Sequence, residues 1–246
     1  MKIAAYSMVL TISFLLSARA DLTIVQKVER AGSATNMTIK VKGDKVRIEA
    51  LPKVTTILDA KTGEVTNLMN DQKTVVRISA EKVKAAANMI NKFEVKKEGA
   101  EQVKLTPTGQ KETVNGYETE KYTYDAPDFK ATYWIAPGYP DGAAILAQLQ
   151  SIKSEFWKTA NTTMPDYRDF PGLPIRTRTT MTKQSQPTKP GGTALGGATE
   201  ITTTIISANQ NAISDAEFAV PSDFKETKLP DIFDKKDTGP SPSPRP

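Results

Sequence analysis

The sequence predicts a mainly β domain laid out as an antiparallel meander, and three observations lead to that reading. Apolar and polar residues alternate with a period of two from Asp21 to Ser79. Turn signals recur about every ten residues, too closely for a helix to sit between successive strands. Helical periodicity is confined to two stretches that interrupt the strands, Glu81 to Phe93 and Gly142 to Lys158.

The elements follow in chain order. Leu22, Ile24 and Val28 alternate with Thr23, Lys27 and Glu29, and Met37, Ile39 and Val41 with Thr38, Lys40 and Lys42. After the Gly43-Asp44 turn, Val46, Ile48 and Ala50 alternate with Lys45, Arg47 and Glu49. One face of such a sheet is buried and the other wet. Strands Val54 to Asp59 and Val65 to Met69 flank a Gly63 hairpin connection, and Thr74 to Ser79 follows. Ser79 is placed to cap a helix with Glu81 in its first turn and Val83, Ala86, Ala87, Ile90 and Phe93 on one stripe. Val103 to Thr106 and Lys111 to Val114 read as strands, and Asn115-Gly116 is the strongest hairpin signal in the chain.

Tyr117 to Tyr124 and Lys130 to Ile135 are strands rich in aromatic and β-branched residues. Asp141 is placed to cap the second helix, whose stripe is Ile145, Leu149, Ile152 and Phe156. Two threonine-rich strands, Ile175 to Thr182 and Glu200 to Ser207, flank a Gly/Pro-rich loop from Lys183 to Gly197. A last extended piece, Ala216 to Phe224, precedes a Pro/Ser-rich tail over 231–246 that holds too little apolar surface to order itself. The organisation expected is a signal peptide at 1–20, one β domain with two inserted helices at 21–230, and the disordered tail.

The leader reading rests on Lys2, the apolar run Ile3 to Leu16, and small residues at Ala18 and Ala20 before Asp21. The run falls short of the roughly 20 apolar residues that a spanning helix needs, so no stable membrane span is expected after cleavage. With Asp and not Cys after the cut, a lipid-modified cysteine anchor is excluded. The expected location is the bacterial periplasm, with the extracellular space as the alternative.

Among its 246 residues the chain has no cysteine and no histidine. Disulfides, thiolate nucleophiles, Ser-His-Asp triads and His-ligated metals are therefore excluded, and no cofactor is expected. Charges of both signs are interspersed, which argues against a nucleic-acid footprint.

Four stretches taken together carry a family resemblance: Ala20 to Val28, Lys42 to Arg47, Gly116 to Tyr122 before Tyr133 to Ala136, and Glu217 to Phe224. In order and spacing the chain resembles a domain-of-unknown-function family of exported bacterial proteins. That family in turn resembles the superfamily of the lipoprotein carriers LolA and LolB. The resemblance implies a strongly curved, incomplete antiparallel barrel with the two helices covering its concave face.

On that geometry Ile90, Phe93, Ile145, Leu149 and Ile152 face the interior. They form either a lid over an apolar ligand or lipid, or the filling of a solid core. Tyr117, Tyr122, Tyr124, Tyr133, Trp134 and Trp157 line a pocket or stabilise the sheet as cross-strand pairs. The neighbouring carboxylates Asp125 with Asp128 and Asp166 with Asp169 are the remaining catalytic candidates, and beside proline they read more simply as turn formers. The function expected is that of an exported, non-catalytic β domain resembling apolar-ligand or lipoprotein-carrier modules. The alternatives are a structural or partner-binding envelope protein with a filled core, and a carboxylate-based enzyme.

Overall fold

The computed structural model describes residues 20–93, 103–126, 129–151, 165, 167–181 and 200–227. The leader before Ala20, the 183–197 loop, Ile152, Trp157, Asp128, Asp166 and the 231–246 tail lie outside those residues.

Among the described residues twelve strands form one sheet. They are β1 (Leu22–Arg30), β2 (Ser33–Lys42), β3 (Lys45–Leu51), β4 (Val54–Asp59), β5 (Val65–Met69), β6 (Thr74–Ile78), β7 (Thr106–Val114), β8 (Tyr117–Asp125), β9 (Phe129–Ala136), β10 (Leu173–Met181), β11 (Glu200–Asn209) and β12 (Lys225–Glu226). The spatial order is β12-β6-β5-β4-β3-β2-β1-β11-β10-β9-β8-β7. Two antiparallel runs, β1 to β6 and β7 to β11, are thus joined where β1 pairs with β11, from Thr23 opposite Asn209 to Arg30 opposite Ile201. The sheet stays open, with β12 and β7 at its two edges.

The turns obey their sequence. Asn115 (φ 49°) and Gly116 (φ 83°) both take positive φ, as the tight hairpin between β7 and β8 requires. Ser79 caps α1 (Ala80–Phe93): its hydroxyl accepts from the Lys82 N–H at 3.4 Å and its carbonyl from Val83 at 3.0 Å. Asp141 behaves differently from a side-chain cap. It sits at φ 53° and uses its carbonyl to accept from the Ile145 N–H at 2.9 Å as α2 (Gly142–Ser151) begins.

Three further details depart from the expectation. The strand expected at Val103 to Thr106 is absent as such: 103–105 lie outside any strand, and β7 runs from Thr106 to Val114 with an irregularity between Pro107 and Lys111, because proline cannot donate to the ladder and Gly109 at φ 72° lets the backbone bulge. The extended piece expected at Ala216 to Phe224 begins instead with a 3-10 turn, Asp215–Phe218, whose first N–H groups Ser214 caps. The strand that follows, β12, pairs with β6 in parallel, so the sheet is mixed at that edge.

Register fixes what each face carries. Leu22, Val41, Val46, Leu58 and Val65 stand opposite one another across β1 to β5. They belong to the main core with Ile24, Tyr133, Ile135, Ile145, Leu173 and Ile175. Lys40, Arg47, Ile57 and Thr66 form the neighbouring row, which the pleat turns to the opposite face.

The β7 end of the sheet curls strongly. At about 4.8 Å per strand, β8 would lie about 14 Å from β11 in a flat sheet. Yet the Asn115 side-chain amide donates to the Ile205 carbonyl at 2.8 Å. The β7–β8 tip is folded back across three strand positions, and Val114 beside it is 1% exposed.

Candidate functional site

The two helices hold the residues read from the sequence as a ligand-facing stripe. Ile90 and Phe93 lie on the last turns of α1, with their side chains outside the described residues. On α2, Ile145 is 1% exposed and Leu146 is 6% exposed. Both belong to the main core with Phe170 and Leu173, and half-buried Leu149 packs against the same group. Gln148 ties the helix to the start of β1 by donating to the Ala20 carbonyl at 2.7 Å.

The aromatic residues separate into two settings. Tyr133 meets Phe170 edge-on at 5.0 Å, and Tyr117 packs on Tyr139 at 4.7 Å. Trp134 is instead the floor of a charged group. Lys121, Trp134 and Arg176 stand side by side on β8, β9 and β10. Lys121 Nζ and the guanidinium carbons of Arg176 and Arg178 lie 5.5, 5.6 and 5.6 Å from the indole ring, within cation–π range.

Glu112 on β7 closes this group. It accepts from Trp134 Nε1 at 2.8 Å and pairs with Lys121 at 3.1 Å and Arg176 at 3.2 Å. The indole N–H first, and Lys121 next, hold its carboxyl below the ordinary carboxylate range. One acid therefore ties three strands to the sheet edge.

A second charged arrangement covers the other wing. After β11 the chain runs as a strap, residues 210–224, across β1 to β5 before it becomes β12. Ile213 and Phe218 of the strap are buried against Ile57, Leu68 and Val75, with Val220 and Phe224 packed at the margin. Its acids meet the cations of the sheet in order: Asp215 with Lys42 at 2.9 Å, Glu217 with Lys40 at 2.9 Å, and Asp223 with Lys73 at 2.8 Å. Each carboxyl is held low by the lysine it meets. The Lys42 and Lys73 ammonium groups are held high by Asp215 and Asp223 in turn.

Backbone contacts complete the strap. The Arg47 guanidinium donates to the Glu217 carbonyl and Lys42 to the Ile213 carbonyl, both at 2.6 Å. The Ile213 N–H donates to the Asp21 carboxylate at 2.7 Å. Where the strap crosses the ends of β2 to β4 it leaves a cleft of about 250 Å³ lined by Lys42, Asp44, Lys45, Asp59, Lys61, Asp215 and Phe218.

Residues 21–224, the sheet and strap together, match the domain of unknown function DUF4412. The chain belongs to the DUF4412 family. No curated protein matches it. Among solved structures the DUF4412 chain is similar to PNGF-II in a C2 crystal form, at 14% identity and a TM-score of 0.36, over 87% of this chain and 32% of that one. It thus spans about a third of the PNGF-II chain. It is also similar to a DUF1329 family protein from Desulfovibrio piger ATCC 29098, at 10% identity and a TM-score of 0.30, over 82% of this chain and 90% of that one. Among the described residues of this DUF4412 domain, no helix is long and apolar enough to cross a membrane.

Sequence reasoning found Trp134 in this family member but passed over Glu112, Lys121, Arg176 and Arg178. A period-two signal was available, since Arg176 and Arg178 alternate with Thr177 and Thr179 and so share a face. The spaced acids Asp215, Glu217 and Asp223 lack the spacing of a calcium loop and suggest no metal site in the sequence; their pairing with lysines does not show there, because those partners lie far away in the chain. Of the carboxylates considered for catalysis, Asp125 ends β8 at the surface and Asp169 ends an exposed 3-10 turn. Their counterparts Asp128 and Asp166 are outside the described residues.

Proposed function

We propose that this chain is an exported, non-catalytic envelope protein that works by binding a protein partner on a β domain with a filled core. One observation carries the reading. The inner face of α2, which a lid would leave loosely packed, is occupied: Ile145 is 1% exposed, Leu146 is 6% exposed, and Leu173 against them is 1% exposed. Side chains this deeply buried leave no room for an acyl chain directly beneath α2. Export is supported by the leader pattern ending at Ala20. Asp21, the residue expected to become the mature N-terminus, is held by its carboxylate, which accepts from the Ile213 N–H.

The test sets stability beside ligand binding. Ile145→Ala is expected to cost about 2–5 kcal/mol in a denaturant melt, the penalty of a filled core. A fluorescent fatty-acid analogue is expected not to saturate the wild type. A cost below about 1.5 kcal/mol together with saturable probe binding would overturn this reading and restore the lid. N-terminal sequencing of exported material is expected to return Asp21; recovery of Met1 would remove the export half of the proposal.

A further inference from the structure

The strap is built like a ligand. Its apolar residues Ile213, Phe218, Val220 and Phe224 fill a groove floored by Ile57, Leu68 and Val75. Its acids Asp215, Glu217 and Asp223 fall on a basic rim of Lys42, Lys40, Arg47 and Lys73. The strap is acidic and the rim basic, so the two match in charge as well as in apolar pattern.

Three hydrogen bonds to its backbone, from Arg47 to the Glu217 carbonyl, from Lys42 to the Ile213 carbonyl and from the Ile213 N–H to Asp21, add to these, and the two ends are held more lightly. Its forward end joins the sheet through a two-residue parallel strand, with Lys225 donating to the Lys73 carbonyl at 2.9 Å and Thr227 to Val75 at 2.8 Å. Its rear end leaves β11 through exposed Asn211 and Ala212. The side chains of Asp215 and Asp223 are 93% and 54% exposed, and pairs so open to water hold weakly. Segments with few buried contacts and exposed hydrogen bonds open locally without unfolding the whole protein. An opened strap uncovers an apolar floor inside a cationic rim, and the strap is a segment whose apolar and acidic pattern matches it.

We propose that the strap together with β12, residues 210–227, exchanges between two copies of this chain, so that each copy's acidic strap seats in the basic groove across β2 to β6 of the other. Every contact of the closed monomer is then remade between chains, which is the condition under which swapping an identical element needs no new interface. The inference deepens the partner-binding reading by naming a second copy as the partner.

Two full-length variants test it. One carries Asp215→Lys and Glu217→Lys, reversing the strap; the other carries Lys40→Glu, Lys42→Glu and Arg47→Glu, reversing the rim. In each variant alone the strap repels its own groove. In the mixture each strap finds a groove of opposite sign only on the other variant. Light scattering after co-incubation is expected to show the mass doubling in the equimolar mixture and not in either variant alone. A mixture that stays monomeric, with both variants folded by circular dichroism, would overturn the proposal.

Should a reversed variant fail to fold, single-cysteine chains serve, since the described residues hold no free cysteine and the whole chain has none. Lys40→Cys and Glu217→Cys chains, mixed and treated with a bismaleimide linker, are expected to give a covalent heterodimer. A link that forms only within a double variant would overturn exchange. So would a synthetic peptide of residues 210–227 that binds the opened groove while the mixed chains remain monomeric; that result would leave the groove a peptide site. The fatty-acid titration is independent of these readouts, so the core reading and the exchange can fail separately.

Discussion

Glu112 and Glu217 do the same electrostatic work in different surroundings. Each is a half-exposed carboxylate that gathers cations: Lys121 and Arg176 in one case, Lys40 and Arg47 in the other. Glu112, however, stands on a strand that the β7–β8 ladder already holds, and its partners sit on the next three strands. Glu217 stands on a strap attached to the rest of the wing by side chains and a two-residue strand, and its partners are some 170 residues away in sequence. The comparison teaches that an ion pair's consequence depends on what else restrains its two ends. In the β7 wing the pairs tune a structure that would stand without them. Over β2 to β6 they are a large share of what keeps the strap in place.

The largest effect expected from this contrast is at Trp134. Trp134→Ala removes a 5%-exposed ring and the floor on which three cations rest, and is expected to cost about 3–5 kcal/mol of global stability in denaturant melts. Phe218→Ala comes next. It deletes a ring of similar burial, but because the strap can lift without the sheet, the global loss is capped near about 1–3 kcal/mol. Hydrogen exchange in residues 213–227 should accelerate far more than in β1 to β5. A Phe218→Ala penalty equal to that of Trp134→Ala would break the comparison, showing that strap and sheet unfold as one unit.

Acid sharpens it further. Glu112, Asp215, Glu217 and Asp223 all have carboxyl groups held below their ordinary range. A depressed folded-state value contributes stability above the unfolded carboxylate range of about 4, and that contribution disappears as pH falls through the folded values. Melting temperature should therefore be flat near neutrality and decline below about pH 5. Amide protection in the strap should fall at a higher pH than protection in β7. The reverse order would contradict the idea that the strap depends more on its charges. The smallest effect belongs to Glu112→Gln. It keeps an acceptor for the Trp134 N–H and removes a half-exposed charge paired with Lys121 and Arg176, so the melt should move less than in either aromatic variant. Faster exchange at β7 is the more sensitive readout.

What could be read from the sequence was local. The period-two alternation placed β1 to β6, the Asn115-Gly116 pair placed the β7–β8 turn, and Ser79 placed the start of α1, because each signal lies within a few residues of the structure it sets. The sequence reads as an extended piece from Ala216 to Phe224, whereas Asp215 to Phe218 forms a 3-10 turn: that stretch carries no period of either kind, and its shape is imposed by Ser214 capping and by Phe218 reaching the Ile57 floor. The parallel pairing of β12 rests on two residues and on the length of the crossing, and neither leaves a pattern. Glu112, Lys121 and Arg176 were invisible as a group since only the strand order brings them together. Ile145 and Leu149 were correctly placed on one stripe, but periodicity is silent on whether the space in front of a stripe is filled.

The seam between the wings has a consequence for how the molecule is made. Strand β1 pairs with β11 from Thr23 to Arg30, and its residues meet partners that are synthesised about 170 to 190 positions later. Loops of that span slow the formation of the contacts that close them. The meander from β2 to β6 can form early, but the two wings cannot unite until Glu200 to Asn209 has emerged. Until then the inward edge of β1 is an open template, a row of unpaired backbone groups that another strand could occupy first.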